Sequence, residues 1–97
     1  MRDRLGAEEL ARALRDLPGW EGDTAALHRR VELPSFRAAV DAVVAVADVA
    51  EELDHHPDVD LRWRTVVLHL TTHSAGGVTE QDLALARRVD ALLPPAR

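Results

Sequence analysis

Residues Leu33 to Pro57 read LPSFRAAVDAVVAVADVAEELDHHP, and how this stretch folds decides the architecture around it. Prolines bound it, and no helix breaker interrupts Phe36 to Leu53. Ser35 stands where an N-cap belongs, its hydroxyl able to satisfy a first-turn N–H that has no partner inside the helix. The prediction is one continuous helix from Phe36 to about Leu53. At about 100° per residue, Arg37, Asp41, Asp48 and Glu52 share a narrow polar arc. Phe36, Val40, Val43, Ala47 and Ala50 form an apolar stripe that Val46, Val49 and Leu53 widen. The apolar arc exceeds half the circumference, more than a helix lying on one sheet needs. The excess predicts a second helix or a second subunit as partner.

Strands flank this helix. Upstream, Leu27, Arg29, Val31 and Leu33 alternate with His28, Arg30 and Glu32, the pattern of a strand with one solvated face. Downstream, Val59–Trp63 and Thr65–Thr72 read as two more strands. In the second, Val66, Leu68 and Leu70 face one way, and Val67, His69, Thr71 and His73 the other. A first helix is expected over Ala7–Leu17, on the recurrence of Leu10, Leu14 and Leu17, with Pro18-Gly19 ending it. The loop Ser74–Val78 holds Gly76-Gly77, both free to adopt positive φ. The last helix starts at Thr79, where Thr79-x-x-Asp82 has capping-box spacing. Leu85, Val89 and Leu92 give it an apolar stripe, and Pro94-Pro95 stop it. Helices alternating with short antiparallel strands predict an α+β sandwich with the helices on one face of one sheet.

Composition narrows the function. The 97 residues suit one domain, 1–97, and a chain this short gains stability from associating with copies of itself. Hydrophobic residues make up 46% and charged residues 30%, a globular balance. The net charge is -5, and arginine supplies every basic side chain, in runs no longer than two. Direct nucleic-acid binding, which rests on cationic side chains displacing counterions, is not expected. The absence of cysteine excludes disulfides, thiolate catalysis and cysteine zinc sites. MRDRLGAEEL lacks the apolar core of a secretory signal, and AAVDAVVAVADVA is too short and too charged to span a bilayer. A cytoplasmic protein is expected.

Chemistry concentrates at residues 51–63, EELDHHPDVDLRW. Glu51, Glu52 and Asp54 end a helix whose C-terminal dipole disfavours carboxylates, and His55-His56 follow directly. Negative charge favours the imidazolium form, which suits histidines to giving and taking protons near neutrality. Glu51 falls between Val40 and Val44 on the helical wheel, one turn before His55, where it can orient that imidazole or remain an ordinary exposed charge. His69 and His73 have the spacing of a helical zinc motif, but their segment alternates like a strand, and the adjacent His55 and His56 point apart. No metal is therefore expected. Ser74 lacks the glycine-flanked elbow of a serine hydrolase.

These residues resemble a known family, the pterin-4a-carbinolamine dehydratases, also described as dimerisation cofactors of a homeodomain transcription factor. Its pattern is an acidic residue, three residues, then His-His-Pro. An aromatic follows after five further residues, a histidine after nine more and an aspartate after eight or more. Glu51, His55, His56, Pro57, Trp63, His73 and Asp82 meet it here. LPGWEG (17–22) and THSAGGVTEQDLALARRVD (72–90) extend the likeness over most of the chain. The resemblance implies a four-stranded antiparallel sheet with three helices on one face, assembled as a homodimer or homotetramer. It implies a hydro-lyase that removes water from a 4a-hydroxytetrahydropterin left by an aromatic amino acid hydroxylase, with no metal or redox cofactor.

Carried over by position, the resemblance implies His55 and His73 as the acid/base pair and His56 as a residue that binds and orients the pterin. Glu51 and Asp54 would tune or position the histidines, and Pro57 would fix their loop. Trp63 would wall the pocket or pack as core, and Asp82 would serve the site or act only as a cap. Val59 replaces an aromatic often found in animal members, and His69 is not a histidine of the motif and reads as a solvent-facing strand residue. The alternative reading is a non-catalytic binding or assembly protein on the same fold, suggested by the wide apolar arc of the long helix.

Overall fold

A computed structural model describes residues 3–94. Met1 and Arg2 of the N-terminal stretch and Pro95 of the expected helix stop lie outside the described residues. Three α-helices, α1 (Ala7–Leu14), α2 (Phe36–Leu53) and α3 (Glu80–Asp90), accompany four strands. These are β1 (Glu21–Gly22), β2 (Leu27–Glu32), β3 (Asp58–Arg62) and β4 (Thr65–Leu70). The strands form one antiparallel sheet in the order β1-β2-β4-β3, so the fold is α+β as expected.

The long helix has the predicted bounds, and Ser35 Oγ accepts from Ala38 N at 3.0 Å. Its C-terminus is a Schellman turn. Asp54 takes φ 51°, ψ 43°, and the His55 N–H reaches back to the Ala50 carbonyl at 3.1 Å. The sheet turns Leu27, Arg29 and Val31 of β2, and Val66, Leu68 and Leu70 of β4, into the core. The other face of these strands carries His28, Arg30, Glu32, Val67 and His69. Buried Arg29 is matched by Asp90 of α3 at 2.7 Å, and the same carboxylate oxygen accepts from Trp20 Nε1 at 2.8 Å.

Four expectations change. The buried arc of α2 runs through Ala39, Val46, Val49 and Ala50, not along the stripe that starts at Phe36. The helix packs on β3 and β4 of the sheet, and α3 packs beside it as the expected second helix. Phe36 and Val44 remain 55% exposed each. The first helix stops at Leu14, and Leu17 is buried beyond its last turn. β4 ends at Leu70, where its pairing with the first residue of β2 ends, so His73 opens a single 3-10 turn (His73–Ala75) and does not lie on the strand. Of the two loop glycines, only Gly76 has positive φ, at 75°; Gly77 is required instead because a Cβ there would lie 2.4 Å from the Thr24 carbonyl.

Candidate active site

Three loops converge at one end of the sheet. The Schellman turn after α2 nearly buries His55 and leaves His56 exposed, the 3-10 turn after β4 presents His73, and the first turn of α3 contributes Gln81. Asp54, His55, His56, Thr71, Thr72, His73, Ser74 and Gln81 line a shared cleft of 370 Å³. The histidines of the HHP stretch and the third one eighteen positions on are thus brought together. A second hollow of 250 Å³ lies against the other side of His55, lined by Leu53, Glu80, Gln81 and Ala84.

The centre of this arrangement is Asp82. Its side chain is fully buried, and a buried carboxylate needs its oxygens satisfied. Oδ2 accepts from the Thr79 backbone N–H at 2.9 Å and from Thr72 Oγ1 at 2.8 Å. Oδ1 lies 2.6 Å from His55 Nε2. One residue therefore caps α3 and anchors the His55 imidazole, so Asp82 makes both the cap contacts and a contact to a cleft histidine. A carboxylate only accepts, so the His55 proton in this pair sits on Nε2, leaving Nδ1 as the ring nitrogen free of Asp82. His55 is itself nearly buried, its side chain 12% exposed.

Glu51 does not orient His55. The Schellman turn folds His55 under the helix end towards α3, whereas His56 swings back along the outside of α2 and bonds through Nε2 to Glu51 Oε2. Both members of that pair are exposed, so solvent screens it and its energetic value is small. Asp54 holds the left-handed cap position at the cleft edge, and Pro57 is the single residue between His56 and β3.

Trp63 is not brought to the cleft of its own chain. It occupies the β3–β4 hairpin turn with φ 51°, is 72% exposed, and stacks on the Arg64 guanidinium at 4.6 Å. β3 separates it from His56, a span of roughly 20 Å for an extended chain of this length. Thr71, Thr72 and Gln81 line the cleft without having been singled out, and Ser74, set aside as a hydrolase nucleophile, lines it as well. For Thr72 the one available signal was a polar residue continuing the inward register of Val66, Leu68 and Leu70.

Residues 3–92 match the family model described as pterin 4 alpha carbinolamine dehydratase. A Mycolicibacterium smegmatis protein whose name places it among the pterin-4-alpha-carbinolamine dehydratases is 49% identical over 89 residues, covering 92% of this chain and 95% of that protein. A similarly named Mycobacterium tuberculosis protein is 49% identical over 88 residues, with 91% and 94% covered. The crystal structure of a transcriptional coactivator/pterin dehydratase from Brucella melitensis superposes with a TM-score of 0.90 at 36% identity, covering 95% of this chain and all of that one. A pterin dehydratase-like protein identified as a RuBisCO assembly factor in the alpha-carboxysome is more distant, with a TM-score of 0.63, 27% identity, and 79% and 89% coverage.

Proposed function

The chain belongs to the pterin 4 alpha carbinolamine dehydratase family, and from that membership we propose that it is a 4a-hydroxytetrahydrobiopterin dehydratase. The observation that carries this reading is a cleft shared by His55, His56 and His73, with a buried carboxylate behind one of them. Dehydration removes the N5 proton of the carbinolamine, breaks the C4a–O bond and releases water, leaving quinonoid dihydropterin. His55 accepts the N5 proton at Nδ1, and Asp82 stabilises the imidazolium that forms, as a buried aspartate does behind a catalytic histidine. His73 protonates the departing hydroxyl. His56, held by Glu51, binds and orients the ring, and Asp54 and Pro57 set the loop that presents both histidines. The proton given to the hydroxyl replaces the one taken from N5, so neither a metal nor a redox cofactor enters the balance.

The setting we propose is cytoplasmic, downstream of an aromatic amino acid hydroxylase. Among the described residues no helix is long and apolar enough to cross a membrane. We also propose a homo-oligomer, joined through the apolar residues that α2 leaves outside. The test of the enzyme reading is to generate the 4a-carbinolamine and follow its loss by absorbance. Wild type should accelerate dehydration, and His55→Ala and His73→Ala should each lose roughly 10²–10⁴-fold. A wild-type rate equal to the spontaneous one sinks this reading. The second reading is an assembly protein without catalysis, a role for which the carboxysomal relative provides precedent. It leaves the three-histidine cleft without a purpose.

A further inference from the structure

A second pair of histidines lies outside the cleft, on the sheet face that the helices leave open. His28 of β2 and His69 of β4 are directly opposite each other in the antiparallel register, where side chains share a face and touch. Their Nδ1 atoms are 2.8 Å apart. His69 Nε2 lies 2.8 Å from Asp60 Oδ2 of β3. The carboxylate can only accept, so Nε2 carries the proton and Nδ1 of His69 presents a lone pair towards His28. An imidazole held through one nitrogen by a carboxylate, with the other nitrogen presented, has the outer-shell arrangement of a metal-ligating histidine. The same register places Glu21 beside His28 and Asp58 beside His69, so carboxylates flank the pair in one row across the sheet. Solvent reaches the row: the side chains of His69 and Asp60 are 32% and 54% exposed.

We propose that His28 and His69 form a binding site for a divalent transition metal of the zinc class, ligated by both Nδ1 atoms and oriented by Asp60. Two imidazoles suit zinc and its neighbours better than magnesium or calcium, which prefer all-oxygen sites. With zinc–nitrogen bonds of about 2.0–2.1 Å, a tetrahedral ion needs the two nitrogens about 3.3 Å apart. The pair has to open by about half an ångström as the rings turn from facing each other to facing the ion. Binding puts the metal in place of the proton between the two Nδ1 atoms, and His28 then carries its one proton on Nε2, as a neutral metal-ligating imidazole does. Among the described residues no group of three or more ligating side chains is preassembled, so water, or Glu21 or Asp58 after a side-chain rotation, completes the shell.

The experiment adds Zn²⁺ alone to the full chain and reads the histidine ring resonances by NMR beside calorimetric titration. One ion per chain should bind, moving the ring signals of His28 and His69 together. Asp60→Asn should weaken binding roughly 10–100-fold, and His28→Gln with His69→Gln should abolish it while thermal melts report an intact fold. Zinc that moves only the His55, His56 and His73 signals overturns the proposal, as does unchanged zinc affinity in the double variant. Neither result depends on dehydratase activity.

Discussion

The contrast between Asp82 and Glu51 fixes what each histidine is held by. Both carboxylates bond a histidine, but Asp82 is fully buried and accepts two further hydrogen bonds, whereas Glu51 is 75% exposed. Asp82→Asn keeps the volume and exchanges an acceptor for a donor facing either His55 or Thr72. Removing one acceptor from a buried set costs about 1–3 kcal/mol, and the amide can hold the wrong His55 tautomer. Dehydration should then fall by at least about 10²-fold, measured as kcat on the 4a-carbinolamine, while Glu51→Gln should change KM more than kcat. Equal activity of Asp82→Asn and wild type would remove Asp82 from the proposed mechanism. His55, His56, His73 and Asp82 were legible as a set from the spacing of the family motif. Which carboxylate serves which histidine was not, because it depends on the turn after Leu53 sending neighbouring side chains in opposite directions. The His28–His69 contact was hidden for a different reason: its members are far apart in sequence, and only the β2–β4 register makes them neighbours.

The elements divide by how local their causes are. α2 was readable to the residue because its cap and its flanking prolines are local signals. Its buried face was not, because apolar residues surround most of the helix and only the sheet and α3 select among them. β1, of two residues, has no periodicity to read; it exists because the chain before β2 finds an unpaired edge. At the end of α2 the residue present opposes stability. Asp54 adopts the left-handed conformation that glycine accepts without a Cβ penalty, and it adds negative charge where the helix dipole already provides it. Asp54→Gly should therefore stabilise the fold by about 1 kcal/mol, read as a rise in the denaturant midpoint without a change in slope. If Asp54 serves the cleft, the same variant should lose dehydratase activity. A more stable variant with full activity would make Asp54 an ordinary cap residue.

At the scale of the whole molecule, α2 presents two apolar surfaces with different fates. Ala39, Val46 and Ala50 are buried against the sheet and α3, while Phe36, Val40, Val44 and Ala47 follow one another along the adjoining arc, with Phe36 and Val44 more than half exposed. A small domain that leaves a large aromatic and a valine of its longest helix in water gains by covering them, and a second copy of the same helix is the partner we propose. Val46 and Val44, two positions apart, separate folding from assembly. Val46→Asp puts a charge into a site 1% exposed and should unfold the chain, since a domain this size has only about 5–15 kcal/mol to lose. Val44→Asp changes a surface residue, which in a lone chain is worth within about ±0.5 kcal/mol. In an assembly it sets like charges against each other across the two-fold axis. Light scattering should show Val44→Asp at a smaller mass than wild type, with a native circular dichroism spectrum. A wild-type protein already at the mass of one chain, or a Val44→Asp protein of unchanged mass, would leave that arc of α2 facing water.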